Sequence, residues 1–128
     1  MTNDKLEKII YREGTEVDGH SGNWRFNFRE RTTLVMTDQT ANRMRIMTPI
    51  LEEKEISKSQ YKVMLEANFD KALDAKYAVH EGIVWSVYTH PLGELTVEQF
   101  RDAVRQVATL ADNFGGTYTS TNLVFGGN

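Results

Sequence analysis

The chain contains no cysteine, which excludes disulfide bonds, thiolate metal sites and a cysteine nucleophile. It has two prolines, Pro49 and Pro91, and no run near the roughly twenty apolar residues that a membrane-spanning helix needs. Met1 to Lys8 is polar and lacks the apolar core of a signal peptide, so the sequence predicts a cytoplasmic protein with no membrane partner. Histidine is scarce as well. His20, His80 and His90 stand in three separate settings with no shared ligand spacing, and neither metal nor cofactor is expected. No Gly-x-Ser-x-Gly elbow surrounds a serine. Gly115-Gly116-Thr117 trails a helical pattern, where a phosphate cradle would precede one. Glu52-Glu53-Lys54-Glu55 reads as a solvated charge run. These absences point away from an enzyme.

What is present is ordinary globular material. The 128 residues are 40% hydrophobic and 26% charged, enough to build one core without staples. A single α+β domain is expected over residues 1–116. Residues 117–128 form a C-terminal tail, rich in Thr, Ser, Asn and Gly around Leu123-Val124-Phe125, that is either mobile or docked.

Leu6, Ile9 and Ile10 share one helical face, with Gly14 placed to end that helix in a left-handed conformation. Asp18-Gly19 and Ser21-Gly22 read as turns. Trp24, Phe26 and Phe28 then alternate with Arg25, Asn27 and Arg29, the two-residue period of a half-buried strand. Leu34 with Met36, and Met44 with Ile46, continue the pattern as two further strands, and Pro49 closes this meander. Ser57-x-x-Gln60 has the form of a capping box. It opens a helix whose apolar stripe is Tyr61, Met64, Leu65, Asn68, Phe69, Ala72 and Leu73. Asn68 is the polar member of that stripe, placed to tie the helix to the adjoining hairpin through backbone bonds. The hairpin runs Tyr77 to Glu81 and Ile83 to Thr89. Its second strand is apolar on both faces and therefore central. Thr96-x-x-Gln99 opens the last helix, with Val97, Phe100, Ala103, Val104, Val107, Ala108, Ala111 and Phe114 on its apolar face. The order is α-β-β-β-α-β-β-α, giving helices packed on a five-stranded antiparallel sheet.

In that order, Met64-Leu65-Glu66-Ala67-Asn68-Phe69 leads into a hairpin turning at Gly82. Pro91-Leu92-Gly93-Glu94-Leu95-Thr96 then precedes an amphipathic helix containing Phe100 and Asp112. The chain resembles the YbjN / type III secretion chaperone-like superfamily, which includes the Tir-chaperone (CesT-like) group. The resemblance covers roughly residues 5–114 in element order and residues 61–114 in motif. It implies a small, acidic, non-enzymatic α+β homodimer of the kind that holds a partly unfolded segment of a client protein. It also implies a dimer contact on the second helix and the strand after it, here around Tyr61, Val63, Tyr77 and Val79.

One feature lies outside the resemblance. Five of the eight arginines fall between Arg25 and Arg45, opposed there by Glu30 and Asp38 alone, although the net charge of the chain is −3. Strands lie about 4.8 Å apart, so Arg25, Arg29, Arg43 and Arg45 would form one basic face, with Thr33, Val35 and Thr37 facing outward beside them. That face is either solvated or a docking site for an acidic protein segment. The acidic chain and its core-committed aromatics argue against nucleic acid. A single-strand nucleic-acid binder or a small-molecule sensor remains the alternative to a protein-binding homodimer.

Overall fold

Thr2, Ser57 and Thr96 each turn a side-chain oxygen onto the backbone N–H three residues on, and so begin the three α-helices found among the described residues. Such a cap is worth about 1 kcal/mol. At Ser57 and Thr96 the reciprocal bond from Gln60 and Gln99 completes both capping boxes. The computed structural model describes residues 1–121. Within them lie α1 (Asn3–Glu13), β1 (Thr15–His20), β2 (Asn23–Phe28), β3 (Arg31–Asp38), β4 (Arg43–Glu52), α2 (Lys58–Asp70), β5 (Lys76–His80), β6 (Ile83–His90) and α3 (Val97–Asp112), with a 3-10 turn at Glu53–Glu55.

The sheet is antiparallel throughout and has six strands in the order β1-β2-β3-β4-β6-β5. The expected α+β class holds, but the strand count was one short. β1 occupies a stretch read as turns. Its residues Thr-Glu-Val-Asp-Gly-His show no apolar alternation because it is an edge strand exposed along nearly its whole length. Gly14 does not take the left-handed conformation expected of it. Its backbone is extended (φ −115°, ψ 173°), and what demands glycine is space, since a Cβ there would strike the ring of Phe26.

Pro49 does not end β4, which runs on to Glu52. The ladder with β3 reaches only Leu34↔Met47, and the pairing with β6 slips by one residue between Pro49 and Leu51, so the missing N–H is absorbed at a bulge. β6 is central, as its two apolar faces require.

The core lies on one face of the sheet. Trp24 and Phe26 of β2, Val35 of β3, Met44 and Ile46 of β4, Tyr77 of β5 and Val84 of β6 meet Leu6 and Ile10 of α1 and Phe100, Val104 and Val107 of α3. α1 lies against β1 and β2, α3 against β4, β5 and β6, and α2 beside the β5 edge. Glu7 accepts the Trp24 Nε1–H at 2.9 Å, Glu13 pairs with Arg101 at 3.2 Å and Asp112 with Arg31 at 2.6 Å. Gln106 of α3, unremarked in the sequence pattern, is fully buried. Its Oε1 accepts the backbone N–H groups of Asp74 and Ala75 at 2.9 and 3.2 Å. Its Nε2 donates to Asp74 Oδ2 and Asp102 Oδ2 at 3.0 and 2.7 Å.

The stripe expected on α2 divides. Met64 and, beyond the helix end, Ala72 are buried, as is Ala67 outside the expected stripe, whereas Leu65 is 70% and Phe69 85% exposed. On α3, Val97 is exposed and Leu110 is buried, so its inward face is set differently at the first turn. Part of the tail docks. Tyr118 packs edge-on against Tyr77 and Phe114, and Ser120 Oγ accepts the N–H of Leu73. Leu123-Val124-Phe125 lies outside the described residues.

Candidate functional site

The hairpin joining β2 to β3 has a two-residue turn, Arg29-Glu30, with both residues at positive φ (50° and 63°). A turn of that kind fixes register. Phe28 stands opposite Arg31, Phe26 opposite Thr33 and Trp24 opposite Val35. Since Trp24 and Phe26 face the helices, Thr33 and Val35 face them too, and both are buried. β3 therefore faces opposite to the way its Leu34–Met36 alternation predicts. Leu34 and Met36 point away from the core, and the hydroxyl of Thr48, itself buried, donates to the Thr32 carbonyl at 3.1 Å.

The reversal assembles a surface. On the face away from the helices, Arg25, Leu34, Met47 and Val87 stand in one row across β2, β3, β4 and β6. The next row is Asn23, Met36, Arg45 and Thr89. On the other side of the first row, Pro49, Trp85 and Ala78 extend it across β4, β6 and β5. Leu34, Met36, Trp85 and Val87 are half-buried, whereas Arg25, Arg43, Arg45 and Thr89 are exposed. Two shallow depressions mark the face. One of about 390 Å³ is lined by Met36, Thr37, Asp38, Ala41, Arg43, Arg45 and Thr89. Another of about 240 Å³ is lined by Arg45, Met47, Ala78, His80, Trp85, Val87 and Thr89.

Three of the four arginines singled out share this face, and Arg29 does not. The turn carries Arg29 to the helix side, where it donates to Thr109 Oγ1 at 3.2 Å and lies over the Phe28 ring at 5.3 Å. Arg31 follows Phe28 to the same side and meets Asp112. The acidic neighbours on the open face each hold one turn N–H on a single carboxylate oxygen and form no ion pair with an arginine. Asp18, paired across from Arg25, accepts the N–H of Gly19 at 2.8 Å. Asp38, across from Arg43, accepts that of Ala41 at 2.9 Å. Arg43 Nη1 donates to the Asn42 carbonyl at 2.9 Å, and among the described residues neither Arg25 nor Arg45 has an ion-pair partner.

A second feature lies at the β5 edge. Asn68 Oδ1 accepts the Tyr77 N–H at 2.8 Å and Asn68 Nδ2 donates to the Tyr77 carbonyl at 3.0 Å, the tie anticipated from the sequence. In an antiparallel ladder every second residue turns its backbone groups away from the partner strand, so Val79 shares the outward orientation of Tyr77. Val79 is 39% exposed. A groove of about 220 Å³ between helix and edge is lined by Tyr61, Met64, Leu65, Asn68, Tyr77, Ala78 and Val79. It gathers Tyr61, Tyr77 and Val79. Val63 lies on the other side of the helix, half-buried against the core. The ring of Tyr77 faces inward and its hydroxyl donates to the Leu110 carbonyl at 2.8 Å. Burial pushes its pKa well above the ordinary tyrosine range, with a smaller contribution from Tyr118. Tyr61 is raised too, chiefly by its hydrogen bond to Glu53 at 2.5 Å. Leu65 in this groove, and Phe69 one turn further along α2, are the residues that periodicity could not identify as surface.

The histidines stay apart: His20 sits at the β1–β2 turn, His80 beside Glu81, and His90 stacked on Tyr88 with the Pro91 carbonyl accepting from its Nδ1 at 2.8 Å. Among the described residues no group of three or more His, Asp or Glu side chains is placed to hold a metal ion, and no helix is long and apolar enough to cross a membrane.

No family model matches the chain, and no curated protein sequence matches it. Solved structures do. A chain of the HopA1–SchA chaperone–effector complex superposes with a TM-score of 0.65 at 12% identity, over 88% of each chain. A chain of the ExsC–ExsE complex gives 0.64 at 15% identity, over 88% of this chain and 92% of that one. A chain of the complex between the Yersinia pestis type III secretion chaperone SycH and a stable fragment of YscM2 gives 0.65 at 11% identity, over 88% of this chain and 98% of that one. The architecture of this chain, with its open sheet face and its helix-flanked β5 edge, is the type III secretion chaperone-like fold.

Proposed function

We propose that the chain is a non-enzymatic, chaperone-like protein-binding module that acts as a homodimer and holds a segment of a client protein. The observation that carries this reading is the open face of the sheet. Leu34, Met36, Met47, Trp85 and Val87 form an apolar strip on the side opposite the core. Contiguous apolar surface rimmed by polar groups is what an interaction site offers. The structures of similar fold are complexes with other proteins, which supports a protein as the occupant.

For the homodimer, the support is Leu65 and Phe69, one helical turn apart on α2 and both exposed, with Leu65 lining the same groove as Val79. A self-complementary patch of this kind closes as a two-fold pair.

A photo-crosslinking amino acid placed at Val87, on the strip, tests the client reading in cells that express the protein naturally. A copy carrying it at the exposed Lys8 of α1 serves as the comparison. Crosslinked protein adducts are expected at Val87 and not at Lys8. Equal labelling at the two positions, or none at either, would remove the basis for the reading.

A further inference from the structure

The chemistry of the open face narrows what it accepts. We propose that it docks an amphipathic helix with an apolar stripe bordered by glutamate or aspartate, held by Arg25, Arg43 and Arg45. The inference rests on the protein-binding reading above and specifies the partner's charge and conformation.

The conformation follows from hydrogen bonding. At the strip residues Leu34, Met36, Met47, Trp85 and Val87, each strand has a pairing partner on both sides, so the backbone there is engaged within the sheet. An occupant lying on the strip draws no backbone bonds from it, and a helix, which pairs its own N–H and C=O groups, leaves none unmet on the side pressed against the apolar residues. An extended segment would instead seek a free sheet edge. The strip crosses β3, β4 and β6, with Arg25 on the flanking β2. At about 4.8 Å per strand the four strands span roughly 15 Å, the length of about ten helical residues.

The charge follows from the arginines. Arg25 and Arg45 are exposed and lack ion-pair partners among the described residues, and Arg43 has only the Asn42 carbonyl, while Asp18 and Asp38 are held in turn bonds. Two strands and two residues separate Arg25 from Arg45, about 12 Å between backbones, and Arg43 lies about 7 Å from Arg45. Carboxylates two turns and one turn apart along a helix match those intervals within the reach of an arginine side chain. Nucleic acid fits less well, because the strip carries Leu, Met and Val with Trp85 as the aromatic among them, and base stacking needs several exposed rings.

The test uses two fluorescein-labelled synthetic peptides of about fifteen residues with the same Leu/Met stripe, one bordered by Glu and the other by Lys. Binding to the full chain is read by anisotropy and by Trp85 emission. The Glu peptide is expected to bind at least about tenfold tighter than the Lys peptide, with the preference shrinking as salt rises. Combined Arg25→Ala, Arg43→Ala and Arg45→Ala should remove that preference. Arg29→Ala, on the helix side, should keep it. Equal affinity for the two peptides overturns the proposal without relying on any variant folding. Tighter, arginine-dependent binding of a single-stranded thymidine oligonucleotide than of the Glu peptide also overturns it, in favour of nucleic acid. If Val87 crosslinks to protein in cells while the peptides bind equally, the charge assignment fails and the protein-binding reading stands. If Val87 captures nothing, both fail.

Discussion

Asn68 closes both backbone groups of Tyr77 with one side-chain amide, its Oδ1 taking the N–H at 2.8 Å and its Nδ2 the carbonyl at 3.0 Å. The amide acts as a short surrogate strand and joins α2 to the edge of a sheet it otherwise touches lightly. Asn68→Ala should therefore cost about 2 kcal/mol, two modest hydrogen bonds together with partly buried groups left open. Urea denaturation should show a lower midpoint at unchanged slope. A midpoint equal to wild type would mean that the packing of Met64 and Ala67, with the Lys76 ammonium on the Asn68 carbonyl, holds the helix.

Gln106 is a fully buried amide with all four bonding sites filled, between the Asp74–Ala75 backbone and two carboxylates. Gln106→Leu preserves volume but orphans the two N–H groups and brings Asp74 and Asp102 together unscreened, so a loss of about 3 kcal/mol is expected. Gln106→Glu should add a pH dependence. The new carboxyl is buried beside two others, which raises its folded pKa above the free value of about 4.3. Its neutral form is the tolerated one, so the variant should be closest to wild type in stability below that pH and fall behind as pH rises. Parallel stability curves for variant and wild type from acid to neutral pH would be inconsistent with this network.

Tyr77 and Tyr88 both have raised pKa values, burial being the first cause in each case and Asp74 and Asp102 adding to it at Tyr88. Below the ordinary value of 10.0 both the folded and the unfolded chain keep these protons, and stability does not depend on them. Above it the unfolded chain ionises while the folded one holds the proton. Stability should then fall by up to about 1.4 kcal/mol per pH unit for each buried tyrosine. Tyr77→Phe should lower stability near neutral pH by about 1 kcal/mol, through loss of the bond to Leu110, and flatten the alkaline decline. An alkaline slope as steep as wild type would assign the effect to other groups.

Light scattering at tens of micromolar should report twice the 14.7 kDa chain mass for wild type. Leu65→Asp with Phe69→Asp should report the single-chain mass, with a melt little changed because both side chains are exposed in the monomer. A wild-type chain already at 14.7 kDa would rule out the proposed pair.

Much of the fold was legible because local rules agree with it. The capping boxes at Ser57 and Thr96 begin helices because the backbone donors they satisfy are three residues away, a purely local requirement. Trp24-Arg25-Phe26 shows its two faces by alternation, and β6 announces a central position by being apolar on both. β1 was missed for the same reason in reverse, since an exposed edge strand needs no pattern.

The candidate site was half legible. Arginine content marked the region, but the facing of Leu34 and Met36 depends on the register that Arg29-Glu30 imposes, and one residue of slip exchanges the two faces of a strand. The same turn removed Arg29 from the set.

Sequence alone determined the element types, the caps and the apolar inventory, because these depend on neighbours a few residues apart. Which apolar residues were left uncovered was decided only when the strands paired and the helices chose one side. Leu34, Met36 and Val87 are as apolar as the core residues Val35 and Val84, and differ only in the face that long-range pairing gave them.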